Sequence, residues 1–176
     1  MTLKAKKVKL RNKEVKKIYV DSFIKEERLP FLLMVILSKI TSTDFLAFYD
    51  KNELCGFIYM ATSNKITFVM FFAIDKNIRS KGYGSQILSE ISRLYPDNKI
   101  IISIERCDVS AEDIEERIRR KKFYLKNGYN ETDYLITLSN VEQEIIIKNG
   151  IFDKEEFAKF LRDYSNGTMK PRIWKK

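Results

Sequence analysis

The most informative absence in this 176-residue chain is histidine, of which there is none. Without histidine there is no Ser-His-Asp or Cys-His catalytic arrangement and no imidazole ligand for a metal ion. Cysteine is scarce as well. Cys55 and Cys107 are too few and too far apart for a zinc cluster, and one pair is not the disulfide framework of a small secreted domain. We therefore expect no metal site, and two free thiols in a reducing cytoplasm.

Long apolar runs are also missing. The longest run covers residues 31–37, far short of the roughly 20 residues that cross a bilayer, and it lies too deep in the chain for a signal peptide. We expect no membrane partner. The 44% hydrophobic and 12% aromatic content excludes a disordered chain. The length predicts a single domain over residues 1–176.

The charge is unbalanced, because 33 Lys and Arg face 24 Asp and Glu, a net charge of +9. Such a surplus favours anionic partners such as phosphate-bearing cofactors, nucleic acid or acidic lipid. Basic residues cluster over residues 4–17 and 170–176. No recognised nucleic-acid motif accompanies them, so we expect no specific nucleic-acid partner. A basic nucleic-acid-binding module remains an alternative to an enzyme.

Apolar spacing predicts the elements of the first half of the chain. Val8 and Leu10 predict a strand, and Asn12 is a candidate N-cap for the helix that follows. The apolar positions of that helix are Val15, Ile18, Tyr19 and Phe23. Pro30 begins a second helix through Ile40, apolar nearly all round and hence expected to be buried or paired. Strands at residues 45–49, 54–61 and 66–74 then predict an antiparallel meander.

The second half opens on a helix after Gly82 that Pro96 ends, and residues 99–104 return as a strand. Strand, helix and strand in this order predict a parallel pair. Ser110 with Asp113 resembles an N-cap signature for a helix that ends at Gly128. Strands at 134–138 and 145–147 are joined through Ser139 and Asn140, and Asp153 starts a last helix. The tail beyond residue 166 is predicted to be irregular.

Two glycines mark the loop between residues 71 and 85, FFAIDKNIRSKGYGS, where a strand passes into a helix. Gly82 and Gly84 let the backbone bend towards a ligand while N–H groups point outward at the positive end of the helix dipole. Arg79 and Lys81 add positive charge. The loop lacks the third small residue of a dinucleotide fingerprint and the Gly-Lys-Ser or Gly-Lys-Thr of a P-loop. It predicts a site for a discrete phosphate or pyrophosphate.

At this loop the chain resembles the GNAT superfamily of acyl-CoA-dependent N-acetyltransferases. The run Arg-Ser-Lys-Gly-Tyr-Gly at 79–84 matches the family's signature, and FYLKNGY at 123–129 looks like its helix-ending segment. The resemblance covers residues 43–139 best, leaving a C-terminal helix and basic tail at 151–176. It implies an α/β fold, an α+β mixed sheet of about seven mostly antiparallel strands with a splayed parallel pair, flanked by helices.

The resemblance also implies acetyl-CoA as cosubstrate and coenzyme A as product. By analogy the backbone of one strand bonds the pantetheine arm and polarises the thioester carbonyl; its residues are Phe72, Ala73 and Ile74. The loop binds the pyrophosphate, and the basic side chains at the edge of the loop add positive charge. The loop residues are Arg79, Ser80, Lys81, Gly82, Tyr83, Gly84 and Ser85. A non-catalytic acyl-CoA-binding module is a second alternative.

Acetyl transfer needs a neutral amine and a proton for the departing thiolate. A lysine-like amine is only about one part in a thousand neutral at pH 7.4, a cost of roughly 4 kcal/mol. Glu105, at the end of the strand predicted at residues 99–104, is our candidate base, although an ion pair with a surface Lys or Arg explains it as well. Tyr124 occupies the family's general-acid position, and we expect Arg117 and Arg120 to lower the pKa of its phenol towards that of a thiol.

Arg117 and Arg120 depart from the family pattern, which more often has Asn and Ala there. Together with Arg119 they bind cofactor, bind an acidic acceptor or form a solvated helix face, and the sequence does not choose. The acceptor itself is a primary amine of an unidentified small molecule or peptide. The apolar stretch 23–43 disfavours a polycation. The oligomeric state stays open, with a homodimer among the alternatives.

Overall fold

The computed structural model describes residues 3–138 and 140–176. The chain divides into two compact units. The first holds the residues up to Thr62 together with Val69–Pro96, and the second holds Ser63–Phe68 and Asp97–Lys176. None of the described helices is long and apolar enough to cross a membrane.

Eight strands and five α-helices make up the described fold. The strands are β1 (Lys4–Lys7), β2 (Thr43–Asp50), β3 (Glu53–Ser63), β4 (Ile66–Ile74), β5 (Lys99–Glu105), β6 (Asn130–Leu138), β7 (Val141–Lys148) and β8 (Ile173–Lys175). The α-helices are α1 (Lys13–Ser22), α2 (Phe31–Ile40), α3 (Tyr83–Leu94), α4 (Ile114–Lys126) and α5 (Lys154–Tyr164). Two short 3₁₀ turns lie at Lys25–Glu27 and Lys76–Ile78.

The first unit is built on the strand order β1-β2-β3-β4. β1 pairs antiparallel with β2, which pairs antiparallel with β3. The apolar side chains of α1 are spaced so that they lie on one face of the helix. This face packs with α2 and the strands in an aromatic core. The buried aromatic residues of this core are Tyr19, Phe31, Phe45, Phe57, Tyr59 and Phe71.

The second unit has the order β5-β7-β6-β8, with antiparallel pairing throughout. The isoleucine runs of β5 and β7 are buried and lie side by side across the ladder, Ile101 opposite Ile147 and Ile102 opposite Ile146. α5 buries Phe157, Phe160 and Leu161. The ring of Phe157 lies edge-on to Phe68, with centroids 5.2 Å apart.

The fold class predicted from the sequence is confirmed: a mixed α/β fold with a mostly antiparallel sheet, one parallel pair and flanking helices. The strands number eight instead of about seven. One reason is β8, which makes part of the supposedly irregular tail a strand paired with β6. The single-domain interpretation remains a prediction.

The first strand lies earlier than predicted. β1 consists of four exposed residues. Val8, which was predicted to lie in the strand, is a buried residue just after it, and the N–H of Val8 donates to the carbonyl of Phe45. An edge strand that buries none of its side chains has no apolar alternation, so the periodicity detects the buried residue next to it.

The second helix is less enclosed than predicted. Its length is as expected, and Phe31, Met34 and Val35 are buried. Yet four of its apolar side chains are exposed: Leu32, Leu33, Ile36 and Ile40. α2 therefore covers the core with one face and leaves an apolar face open.

The helix caps were predicted with mixed success. Asp153 caps α5 by accepting the N–H of Glu156 at 2.8 Å, as expected. Asn12 occupies the N-cap of α1, but its side chain accepts the N–H of Lys9 instead of capping the helix. Ser110 is not a cap, because α4 begins after Asp113. Of the predicted hairpin residues, Ser139 lies outside the described part of the chain.

Candidate active site

The loop after β4 carries the strongest backbone signature in the first unit. Ser80 has φ +67° and Gly82, the N-cap of α3, has φ +83°. A left-handed conformation costs most residues about 1–2 kcal/mol, and glycine much less. A left-handed residue followed by the right-handed residues of a helix turns successive N–H groups into one concavity, which suits an anion. Gly84, by contrast, lies inside the first turn of α3.

Within residues 3–138 and 140–176, no side chain caps the N-terminus of α3 by a hydrogen bond. The first turn of α3 has no acidic residue. The first helical bond runs from the N–H of Gln86 to the carbonyl of Gly82, so the N–H groups of residues 82–85 have no helical acceptor. Arg79 and Lys81 are exposed beside them. The main chain and the dipole therefore offer a site that fits a phosphate group.

Contacts below the loop hold it in place. The Tyr83 hydroxyl donates to Asp50 Oδ2 at 2.9 Å, and this bond, with burial, raises the tyrosine pKa to about 12. The N–H of Asp75 bonds the carbonyl of Cys55 at 3.0 Å, and Asp75 Oδ1 accepts the N–H of Asn77 at 2.9 Å. The side chain of Tyr83 is thus an anchor, and only its backbone is left for the predicted pyrophosphate contact.

The end of β4 has the residues expected to bind pantetheine. Ala73 is buried, whereas Phe72 and Ile74 are half-buried. Sequence reasoning missed Gly56 on β3. A Cβ there would stand 2.4 Å from the carbonyl oxygen of Ala73 and 3.2 Å from Cα of Ile74. Gly56 therefore allows the close backbone approach that sets the position of this strand end; a glycine inside an apolar strand was the available signal.

A groove of about 360 Å³, which no sequence pattern indicated, borders the loop at Arg79. Its charged lining mixes four carboxylates with three cations: Glu14, Asp21, Glu53, Asp75, Lys17, Lys76 and Arg79. Asp21 and Lys76 neutralise each other at 3.2 Å. The groove is polar without a strong preference for either sign of charge.

Tyr124 lies on α4 in the second unit and is buried. Burial raises the pKa of its phenol to about 12, and Arg120 lowers it only in part. The expectation that the neighbouring arginines bring this pKa towards that of a thiol is therefore wrong, because desolvation outweighs their charge. At neutral pH the phenol stays protonated and remains a hydrogen-bond donor.

Glu105, the candidate base, ends β5 and forms an ion pair with Arg120. The sequence left this pairing open as the alternative to a free base. Arg120 also contacts Glu116 at 3.2 Å, and Arg117 bonds Asp113 at 2.7 Å and the carbonyl of Arg106 at 3.0 Å. Arg119 is exposed. Within the described residues, then, Arg117 and Arg120 form ion pairs with carboxylates of their own unit.

A buried carboxylate that the sequence did not single out holds the chain just beyond Glu105. Glu144 of β7 accepts the N–H of Cys107 at 2.9 Å and the ammonium groups of Lys121 at 2.7 Å and Lys176 at 2.9 Å. Burial alone would raise the pKa of Glu144, but these bonds outweigh it and hold the pKa at about 2. Glu144 thereby joins the end of β5, α4 and the residue after β8.

Comparison with known proteins fits these features. A model of the acetyltransferase (GNAT) domain matches residues 41–131, just over half of the chain. No curated protein sequence matches the chain. Among solved structures, a protein assigned to the GNAT acetyltransferase family from Bacteroides thetaiotaomicron is 19% identical, with a TM-score of 0.78 over 94% of this chain and 99% of its own.

Two more distant structures carry ligands. Naa50 of Arabidopsis thaliana, in complex with the bisubstrate analogue CoA-Ac-MVNAL, is 17% identical with a TM-score of 0.58 over 84% of this chain and 99% of its own. An aminoglycoside 6'-N-acetyltransferase complexed with coenzyme A is 13% identical with a TM-score of 0.63 over 82% and 96%. At these identities the likenesses show the fold. Taken with the domain match over more than half its length, they lead to one conclusion: the chain belongs to the GNAT family of acetyltransferases.

Proposed function

We propose that the protein acetylates a primary amine of a small molecule or peptide by direct attack, with the loop at residues 79–85 holding the cosubstrate's pyrophosphate. As a GNAT acetyltransferase it transfers an acetyl group from acetyl-CoA to an amine. One observation carries the assignment of the loop. The start of α3 receives no capping side chain from the described part of the chain, has no acidic residue in its first turn and follows a left-handed glycine.

The loop and the end of β4 bind different parts of the cosubstrate. The backbone N–H groups of residues 80–85 bond phosphate oxygens, and each such charge-assisted bond is worth about 1.5–3 kcal/mol. Arg79 and Lys81 add charge at the rim, where they are exposed. The backbone of residues 72–74 bonds the pantetheine arm and polarises the thioester carbonyl. Because these contacts use main-chain atoms, Ala73 can remain packed in the core.

In the chemical step the neutral amine attacks the acetyl carbonyl carbon and the bond from that carbon to sulfur breaks. The nitrogen gives up a proton, and the thiolate of coenzyme A takes one. Glu105 accepts the amine proton, directly or through water, while Arg120 fixes the direction of its carboxylate. Tyr124 donates to the thiolate. Its raised pKa keeps the proton on the phenol at neutral pH, and it also makes the phenol a weaker acid than a thiol, so we expect the proton to move as the carbon–sulfur bond breaks.

Two substitutions test these roles. Tyr124→Phe keeps the ring packing and removes the proton, so we expect a fall in kcat of about 10²- to 10⁴-fold between pH 6 and 9. Tyr134→Phe, which removes the hydroxyl of a half-buried ring tilted at 51° to that of Phe152, is the matched control. Wild-type turnover of Tyr124→Phe across that range contradicts its role. Glu105→Gln tests the base in the same assay, and an unchanged pH profile of kcat/KM contradicts that assignment.

Location and assembly complete the proposal. We place the protein in the cytoplasm, which is supported by two cysteines that are both free thiols. A homodimer is supported by the exposed apolar side chains of α2, a kind of surface that subunits bury. Light scattering on the purified protein measures the second point, and a monomer at all concentrations contradicts it.

The function as a whole is tested by two measurements on the intact protein. Calorimetry should show saturable binding of acetyl-CoA and coenzyme A, and a thiol assay should show release of coenzyme A that depends on an added amine. Binding with no amine-dependent release across a broad panel would support a non-catalytic acyl-CoA-binding module. An absence of binding at millimolar ligand would remove the enzymatic proposal altogether.

A further inference from the structure

The segment between α1 and α2 is packed against the strand that we propose to hold the thioester. The ring of Phe71 on β4 lies 5.0 Å from that of Phe23 and 5.2 Å from that of Tyr19, measured between centroids. The Tyr19 hydroxyl donates to the carbonyl of Leu29 at 3.1 Å and pins the segment there. Phe71 immediately precedes residues 72–74. The segment therefore lies next to the strand end where the acetyl group would be held.

Arg28 lies in this segment as a cation that forms no ion pair with any described residue. It is half-buried, and its Nε is buried with no hydrogen-bond partner among the described residues. Two other described arginines are half-buried, Arg117 and Arg120, and both form ion pairs with carboxylates. No described carboxylate lies within ion-pair distance of Arg28. Of these three arginines, Arg28 alone has no carboxylate partner among the described residues.

The surroundings of Arg28 favour recognition of an anion attached to an apolar body. Tyr19, Phe23 and Leu29 belong to or pack against the apolar cluster of this unit, and the charge of Arg28 acts on the Tyr19 hydroxyl. A partly desolvated charge is unfavourable unless it is paired. A planar guanidinium matches the two oxygens of a carboxylate. Arg28 thus provides a site that an acidic ligand fills and a polycation does not.

We infer that Arg28 receives a carboxylate of the acetyl acceptor, and hence that the acceptor is an amine bearing a carboxylate, such as an amino acid with an apolar side chain. This inference rests on the proposed function, because it names the substrate class of the same site. Arg28 then sets specificity, while the transfer chemistry is left to other residues.

The kinetic test compares L-leucine with L-leucinamide, which differ in the carboxylate. Their amines differ in pKa, so the informative quantity is the change in the ratio of their kcat/KM values on mutation. Arg28→Gln should lower the preference for leucine by about 10- to 100-fold, the loss of one charge-assisted interaction. Arg28→Lys, which keeps the charge without the planar fork, should restore part of it. Arg162→Gln, an exposed arginine on α5, should leave the ratio unchanged.

A binding test does not depend on turnover. N-acetyl-L-leucine should bind the wild-type protein more tightly than N-acetyl-L-leucinamide by calorimetry, and Arg28→Gln should abolish the difference. This separates the two levels of the argument. If no amine is acetylated but the preference for the carboxylate persists and depends on Arg28, the proposed function fails and the anion site stands.

Three results overturn the inference. Arg28→Gln could lower kcat/KM for both amines equally, which would make Arg28 structural. It could raise the KM for acetyl-CoA with the ratio unchanged, which would place Arg28 on the cosubstrate. Or the wild-type protein could bind the two N-acetyl compounds equally well. Thermal unfolding of each variant confirms that the comparison is made on folded protein.

Discussion

Gly82 and Gly167 form a matched pair that isolates the role of the loop before α3. Their φ angles are +83° and +82°, and a Cβ would meet only Gln86 Nε2, at 3.9 Å, in the first case and nothing within 4 Å in the second. Alanine at either position therefore has the same backbone cost, about 1–2 kcal/mol of unfolding free energy, and no steric clash. Gly167 belongs to the turn after α5, to which we assign no ligand.

The two substitutions should differ in ligand affinity. At Gly82 the new methyl group stands at the N-cap of α3, in space the protein leaves open and where we place the pyrophosphate. Displacing a phosphate from one amide removes a bond worth about 1.5–3 kcal/mol, so coenzyme A should bind about 10- to 100-fold more weakly.

The assay is calorimetric titration with coenzyme A, paired with thermal unfolding of both variants. Gly167→Ala should lose stability and keep wild-type affinity. The reasoning is refuted if Gly82→Ala also keeps wild-type affinity, since the amides at the N-cap would then not touch the ligand. It is refuted equally if both variants lose the same affinity, since strain alone would account for the effect.

Three further outcomes follow from contacts elsewhere. Gly56→Ala should destabilise the protein by about 1–3 kcal/mol in urea unfolding, because its Cβ meets the rigid carbonyl of Ala73 at 2.4 Å; a variant as stable as wild type would contradict this close approach. Tyr83→Phe should lower the melting temperature, since it leaves the Asp50 carboxylate without its 2.9 Å donor; an unchanged melting temperature would contradict the anchoring role. The pKa of Glu144 is held at about 2 in the folded protein, below its ordinary 4.5. Its contribution is therefore full above about pH 5 and lost as the pH falls to about 2, on the order of 3 kcal/mol. Glu144→Gln should remove that part of the acid dependence, and an unchanged slope of stability against pH would contradict it.

The sequence predicted the central elements well because their side chains carry the pattern. β2, β3 and β4 are rich in buried apolar residues, and the loop before α3 combines Gly82 with exposed Arg79 and Lys81. The edge strands of the sheet were harder to predict. β1 and β8 are held by main-chain hydrogen bonds to β2 and β6, and such pairing leaves little trace in local periodicity.

The candidate catalytic residues show a second limit of sequence reasoning. Helical spacing places Arg120 near Tyr124, and the structure confirms that its charge lowers the phenol pKa. Spacing carries no information on the depth of burial, which raises the same pKa by more. Glu105 is similar: its position at a strand end was predicted, but the competition for its carboxylate by Arg120 depends on tertiary contact. Glu144 was missed because its two ammonium partners come from α4 and from the residue after β8.

The central claim is that main-chain amides at residues 80–85 grip a pyrophosphate, and amide chemical shifts report on those atoms directly. Titration of the ¹⁵N-labelled protein with coenzyme A should shift the amide resonances of Gly82, Tyr83, Gly84 and Ser85 saturably. Pantetheine, which has no phosphate group, should leave these resonances unshifted. If coenzyme A binds while these four resonances do not move, the account of the loop is wrong.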